Sequence, residues 1–322
     1  MTLSLADIEA AAARIAPHVL RTPLLRSPRL DARLGGRLLF KAECLQVTGS
    51  FKLRGATNAI RRLPEGTPGV AAYSSGNHAQ AVALAAREAG LPAIIVMPAD
   101  APAAKRERTA GYGAEVVLYD RETESREAIG ERIAAERGYA LVPPYDHPDT
   151  MAGQGTVGLE AAADCAALGL APDAVLVCCS GGGLAAGVGV AVRDRFPACA
   201  VITVEPDGFD DMARSLAAGE RVANEPGGRS ICDALLVREP GALTFPVLKA
   251  LGARGVAVGD EAARRAVALA AEELRVVLEP GGAVALAAAC EGAVATAGRT
   301  LLVILSGGNA DLRRDGARET GR

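Results

Sequence analysis

Short runs of consecutive apolar residues alternate along the chain with longer stretches whose apolar positions recur at helical spacing. Four of these runs, VAAY (70–73), AIIVM (93–97), EVVLY (115–119) and YALV (139–142), begin 22–24 residues apart. Apolar runs so short read as strands. Between them the pattern predicts helices over 78–90, 103–111 and 123–138. Strands alternating with helices imply right-handed crossovers and a parallel sheet, so the fold class is α/β. PPYDHPD (143–149) interrupts the pattern, which then resumes with strands at AVLVCC (174–179), AVITVE (200–205) and LLVIL (301–305). Helices are expected at 155–168, 184–196, 260–274 and 282–291. The Gly- and Pro-rich stretch 219–245 reads as loop and 312–322 as a frayed tail.

Composition narrows the class. The 322 residues suffice for two domains. Half are hydrophobic but only 3% are aromatic and none is Trp, so Ala and the aliphatics must build the core. A net charge of −3 gives no basic surface for nucleic acid. No segment reaches the roughly 20 apolar residues that a bilayer span needs. The N-terminus carries acids among alanines, unlike a signal or transit peptide. The seven cysteines are scattered without a C-x-x-C, which reads as reduced, buried thiols in a cytoplasmic protein. Three histidines, at 18, 78 and 147, argue against a multi-histidine zinc site.

Only four lysines occur, Lys41, Lys52, Lys105 and Lys249, against 31 arginines. A lysine surviving such a bias is a candidate for chemistry, because arginine cannot give up its proton. Lys41, in RLLFKAE, reads as an edge or partly exposed strand residue, and Lys105, in KRER, as part of a solvated helix face. Lys249 sits in a helical pattern, and Lys52 alone lies among small, turn-forming residues. CCSGGGL (178–184) follows a predicted strand and opens a predicted helix, a setting that favours a phosphate. Neither the dinucleotide fingerprint nor the P-loop pattern is satisfied. A lysine amine with a phosphate loop suggests pyridoxal phosphate, though a tight turn without ligand would look the same.

Several ordered motifs then carry a resemblance. KAECLQVTGSFKLRGA (41–56), SSGNHAQAVA (74–83), MAGQGTVGLE (151–160), CSGGGL (179–184), LEPGGAVALAA (278–288) and LSGGN (305–309) resemble the serine/threonine dehydratase group of pyridoxal phosphate enzymes, which includes serine racemase. The resemblance spans about residues 5–312, and no C-terminal regulatory domain is expected. It implies fold type II (tryptophan synthase β-like), with two domains, each a mostly parallel sheet flanked by helices. The large domain would be 1–60 and 147–322, and a small mobile domain, 61–146, would close over substrate and exclude water.

The resemblance also implies roles. Lys52 would form the Schiff base, with Phe51 beside the ring and Asn77 on its 3-oxygen. Backbone N–H groups of Ser180, Gly181, Gly182, Gly183 and Leu184 would hold the phosphate, and Ser306 the pyridine nitrogen. Ser74, Ser75 and His78 fall where the family holds the substrate carboxylate. Arg126 is a further candidate for substrate contact, and an exposed helical arginine would read the same. Glu205, the Phe209 carbonyl and Asp211 match the positions that bind a divalent cation, Mg²⁺ or Mn²⁺, in metal-activated members; an acidic turn capping a helix is the alternative. A homodimer is implied.

The implied reaction is β-elimination, in which L-threonine or L-serine becomes a 2-oxo acid plus ammonia. Lys52 would act as base at Cα, and the bound phosphate is the nearest acid for the departing hydroxyl. A serine at the ring nitrogen leaves the pyridine neutral and favours prompt elimination. Ser75 stands where many dehydratases have alanine, as in the racemases, so serine racemisation with Ser75 as second proton donor is an alternative. Another is a dehydratase of 3-hydroxyaspartate or a phenylserine-like substrate, with Tyr145 either shaping the pocket or only packing. Cysteine synthase-type β-replacement fits the context SFKLRG less well. Lys52, Asn77 and Ser306 together argue against a non-catalytic pyridoxal phosphate- or nucleotide-binding module.

Overall fold

Parallel neighbours cannot be joined by tight hairpins, so each strand must be returned through a crossover. The computed structural model describes residues 3–310 apart from Ser75, Pro102 and Arg121. Its strands are β1 (Leu24–Leu25), β2 (Arg37–Ala42), β3 (Val70–Tyr73), β4 (Ala93–Pro98), β5 (Glu115–Tyr119), β6 (Ala140–Leu141), β7 (Ala174–Cys178), β8 (Ala200–Pro206), β9 (Arg254–Val258) and β10 (Thr300–Leu305). They form a six-stranded sheet, β1-β2-β10-β7-β8-β9, and a four-stranded sheet, β5-β4-β3-β6. Every pairing is parallel except β1 with β2. Among the described residues no helix is long and apolar enough to cross a membrane.

All seven apolar runs are strands. β9 (RGVAV) escapes the pattern because Arg254 and Gly255 leave only three consecutive apolar residues in it, whereas β5, also a partly exposed edge, keeps the run VVLY. The helix expected to begin at 155 is Pro148–Ala167. Pro148 lies at its start, where a missing N–H costs nothing, and the His147 ring accepts from Asp149 N. This helix packs closely on helix Gly183–Arg195. A Cβ added at Gly187 would lie 2.5 Å from Gly155 Cα, so the crossing requires glycine on both helices. The stretch read as loop is interrupted by the 3-10 turn Asp233–Leu235 and meets helix Thr244–Ala250 at its end. Helix Asp211–Ala218, just before it, is an addition to the sequence reading.

Helix Lys52–Arg61 links the two sheets. Leu53, Ala56, Ala59 and Ile60 join the apolar cluster of the smaller sheet, whereas Phe51 joins that of the larger. Its remaining side is anchored by charge. Arg54 is fully buried, and its guanidinium makes paired bonds to Glu43 (2.8 and 2.8 Å) and to Glu160 (2.8 and 2.9 Å). It also donates to Thr156 Oγ1 and to the Leu20 carbonyl. Lys41, expected at an edge, is instead fully buried and donates to Glu160 at 2.6 Å and to the Thr22 carbonyl at 2.7 Å. The correction has a simple cause: β2 lies inside the larger sheet, and helix Pro148–Ala167 supplies a carboxylate that sequence spacing does not reveal.

Removing one member of a buried, fully bonded ion network strands the others in low dielectric, at a cost of about 3–5 kcal/mol. Arg54→Ala is therefore expected to lower unfolding free energy by about that amount in urea titrations. A loss below about 1 kcal/mol would show that water replaces the guanidinium at no cost.

Candidate active site

The loop before helix Lys52–Arg61 is fixed to the loop after β10. Phe51 N donates to the Ser306 carbonyl at 3.1 Å, and Ser50 bridges to Gly307. Lys52 is thereby placed in the wall of a cavity of about 500 Å³, together with Tyr73 and Ser74 from the end of β3, Cys178 from β7 and Ser306 from the end of β10. Carboxyl ends of strands from both sheets thus converge on one space, as open parallel sheets arrange their ligands. Lys52 Nζ donates to the Pro144 carbonyl at 2.7 Å and lies 5.1 Å from the Phe51 ring centroid. Burial lowers its pKa to about 8.

The glycine loop has the shape its sequence demands. Gly182 adopts φ +93° and ends the loop where helix Gly183–Arg195 begins without a side-chain cap. A Cβ at Gly181 would sit 2.2 Å from the Tyr145 ring, and one at Gly183 would sit 2.5 Å from Gln154 Oε1. Ser180, Gly181, Gly182, Gly183 and Leu184 all face the cavity. Thr244 Oγ1 and Gly241 N both donate to the Gly181 carbonyl, which fixes the loop from behind. The result is a close-approach cradle whose first-turn amides suit an anion.

Asn77 opens the helix after β3, and Ser306 follows β10. Asn77 Nδ2 donates to the Glu279 carboxyl, and its Oδ1 accepts from Asn309 Nδ2 at 2.8 Å. Glu279 is buried, and desolvation pushes its carboxyl up to about 7. Ser306 is buried and its Oγ accepts from the Cys178 thiol at 3.0 Å.

The substrate-side residues differ among themselves. Ser74 Oγ accepts from Gly76 N at 3.3 Å, and Ser75 lies outside the described residues. His78 is buried, with Nε2 2.7 Å from the Val142 carbonyl. Burial, then the Lys52 charge, pushes its imidazole down to about 3, so the ring is neutral and offers no positive charge to a carboxylate. Arg126 reaches the cavity at its rim; its guanidinium pairs with Glu127 at 2.7 Å and lies over the Tyr73 ring.

Lys105 departs from the expectation of a solvated face. It lines the cavity, is 13% exposed and pairs with Asp233, joining helix Ala103–Gly111 to the 3-10 turn across the cavity. Its rarity among arginines was the available signal. Glu279, Gln154 and Cys178 also line the cavity, and sequence reasoning missed all three. Glu279 and Gln154 lie within two of the quoted motifs, but no sequence spacing links them to Asn77 or the glycine loop.

Glu205 and Asp211 are both fully buried. The Glu205 carboxylate accepts from Met212 N at 3.0 Å and Ala213 N at 2.8 Å, capping helix Asp211–Ala218. Asp211 accepts from Asn224 at 2.6 Å, and its other oxygen is buried without a partner. Phe209, between them in sequence, is buried too. Among the described residues, no group of three or more His, Cys, Asp or Glu side chains gathers as a metal site.

The profile of the pyridoxal-phosphate dependent enzyme family matches residues 15–307. The chain belongs to that family. L-threo-3-hydroxyaspartate ammonia-lyase of Saccharomyces cerevisiae is 42% identical over 311 residues, 96% of this chain and 94% of the relative. The crystal structure of a T.th. threonine deaminase superposes with a TM-score of 0.90 at 46% identity, over 96% of this chain and 99% of that one. Maize serine racemase superposes with a TM-score of 0.91 at 40% identity, over 98% and 96%.

The cavity suits the family's cofactor. The glycine cradle would offer its backbone amides to the phosphate, and Lys52 would supply the amine that the aldehyde requires. Attachment needs a neutral nucleophile. With the Lys52 pKa lowered to about 8, the rate of imine-band formation on adding pyridoxal phosphate to the cofactor-free protein should rise with pH up to about 8 and then level. Lys52→Ala and Lys52→Arg should both abolish the visible band and turnover, because guanidinium remains protonated. A band of wild-type intensity in either variant would move the attachment site elsewhere.

Proposed function

We propose that this enzyme catalyses β-elimination of L-threonine and L-serine to a 2-oxo acid and ammonia. The observation that carries the reading is one cavity holding a partly buried amine of depressed basicity, Lys52, beside a glycine cradle suited to phosphate. When bound, pyridoxal phosphate supplies an electron sink for the charge left at Cα. Lys52 Nζ is the group able to take the Cα proton, since burial keeps its free amine near neutrality. The first-turn amides of helix Asn77–Glu88, which begins without a side-chain cap, suit the substrate carboxylate. Neutral His78 then acts as a wall, not as a cation. Residues 61–146, which carry the whole smaller sheet, would close over the substrate as a unit and exclude water.

A second reading is elimination from 3-hydroxyaspartate. Two cations, Lys105 and Arg126, line the cavity and suit a second carboxylate, in keeping with the name of the yeast relative. Tyr145, packed against Gly181, leaves less room for a phenylserine-like side chain. Racemisation rests on Ser75 and on the likeness to maize serine racemase. Assay of L-Ser, D-Ser, L-Thr and 3-hydroxyaspartate separates these readings: the leading one requires kcat/KM for L-Thr or L-Ser above that for 3-hydroxyaspartate. If D-Ser forms from L-Ser, Ser75→Ala should remove racemisation and spare elimination. Equal loss of both would make Ser75 a substrate-binding residue.

The seven cysteines are all free thiols, which supports a reducing, cytoplasmic setting. Leu20, Leu45 and Val47 are about half exposed around Gln46, whose amide bonds Leu20 on both sides, and this apolar patch supports a homodimer. The proposal extends to a divalent cation, Mg²⁺ or Mn²⁺, at Glu205, the Phe209 carbonyl and Asp211. The supporting observation is an unpartnered, buried Asp211 oxygen beside a second buried carboxylate, a donor set of hard oxygens. Exhaustive chelation should then lower Tm, Mg²⁺ or Mn²⁺ should restore it, and Asp211→Ala should abolish the response. An unchanged Tm, with no cation binding by calorimetry, would leave Glu205 as a helix cap alone.

A further inference from the structure

The cavity contains a polar contact between two strand ends that the functional reading leaves unused. Cys178 ends β7 and Ser306 follows β10, and these strands are parallel neighbours with Val303 beside Leu176. The same register continued to the strand ends sets Cys178 beside Leu305, and Ser306 is the next residue after it. The Cys178 thiol donates to Ser306 Oγ at 3.0 Å, with both residues 4% exposed. The ionisable groups facing the thiol are Lys52 and Glu279. Burial pushes the thiol up to about 11, so it keeps its proton through the neutral range and remains a donor.

We propose that Cys178 is a positioning residue that sets the polarity of the Ser306 hydroxyl. The inference rests on the proposed function and on the place at the ring nitrogen of pyridoxal phosphate that the family resemblance implies for Ser306. A serine hydroxyl has one proton and two lone pairs. The thiol proton occupies one lone pair and leaves the hydroxyl's own proton to be donated into the cavity, where it suits an unprotonated ring nitrogen. The reverse order would require a protonated ring nitrogen to donate to Ser306 while Ser306 donates to sulfur. Sulfur is a weak acceptor, so that order is disfavoured. In the favoured order each donor polarises the next. A neutral ring is the weaker electron sink, so Cys178 biases the enzyme toward prompt elimination and away from racemisation, which needs a longer-lived carbanion.

Two substitutions test this. Cys178→Ser keeps the shape but accepts as readily as it donates, so it removes the bias. Cys178→Ala removes the partner. The protonation of the ring is read directly by NMR of holoenzyme reconstituted with pyridoxal phosphate isotope-labelled at the ring nitrogen. In Cys178→Ser the resonance should move toward the protonated position, and the racemisation-to-elimination ratio should rise. In Cys178→Ala the dissociation constant for pyridoxal phosphate should rise about 3–10-fold, the loss expected for one hydrogen bond. If both variants keep the wild-type resonance, affinity and product ratio while Ser306→Ala changes them, the inference is overturned and the functional reading stands. Wild-type protein that develops no visible band with pyridoxal phosphate overturns both.

Discussion

The Arg54 guanidinium lies between two carboxylates, out of reach of water, and the direction of Lys52 follows from that arrangement. Helix Lys52–Arg61 starts without a side-chain cap, so its first turn has no local device to fix it. Arg54, two residues on from Lys52, supplies one. Its bonds to Glu43 hold the helix to the turn after β2, and its bonds to Glu160 hold it to helix Pro148–Ala167. Two bidentate pairs restrict both position and rotation, which a single point charge would not. Lys41 balances the second carboxylate, so the buried charges cancel. A buried ion network is weak evidence for stability. What this one contributes is geometry: the amine can face the cavity only while the guanidinium occupies its clamp.

The clamp also explains how two sheets share one site. The helix that bears Lys52 gives its apolar residues to the smaller sheet's cluster and its charged residue to the larger sheet's side. Opposite it, the Lys105–Asp233 pair joins the same two bodies through a partly exposed contact. The two links differ in solvent access. The buried one is costly to break, whereas the exposed one exchanges readily with water and is worth little. Motion about the first, with the second formed and released, would give the closing and opening that the proposed function requires.

Burial sets the chemistry within the cavity. One environment lowers Lys52 to about 8 and His78 to about 3 and raises Glu279 to about 7. Each shift disfavours the charged form, as removal from water requires. The outcome is an interior in which His78 is neutral while Lys52 and Glu279 titrate close to neutral pH, with polar groups linked as Asn309 to Asn77 to Glu279 and as Cys178 to Ser306. Such an interior can orient a charged cofactor without competing with it for counter-ions.

The alternation of strand and helix was legible in the residues alone, because strands paired within parallel sheets are apolar at most positions. So were the glycine loop and the motifs that single out Lys52, Asn77 and Ser306, because close backbone approach and a reversible amine admit few residue types. The same reading misplaced Lys41 and Lys105, missed β9, and began helix Pro148–Ala167 seven residues late. These belong to the tertiary structure for one reason. A charge buried against Glu160, a salt bridge spanning 128 positions to Asp233, and an edge strand held by β8 depend on partners distant in the chain. The Cys178–Ser306 bond is of the same kind, also 128 positions apart. Periodicity reports which face of an element is buried; only the packed sheets decide what that face meets.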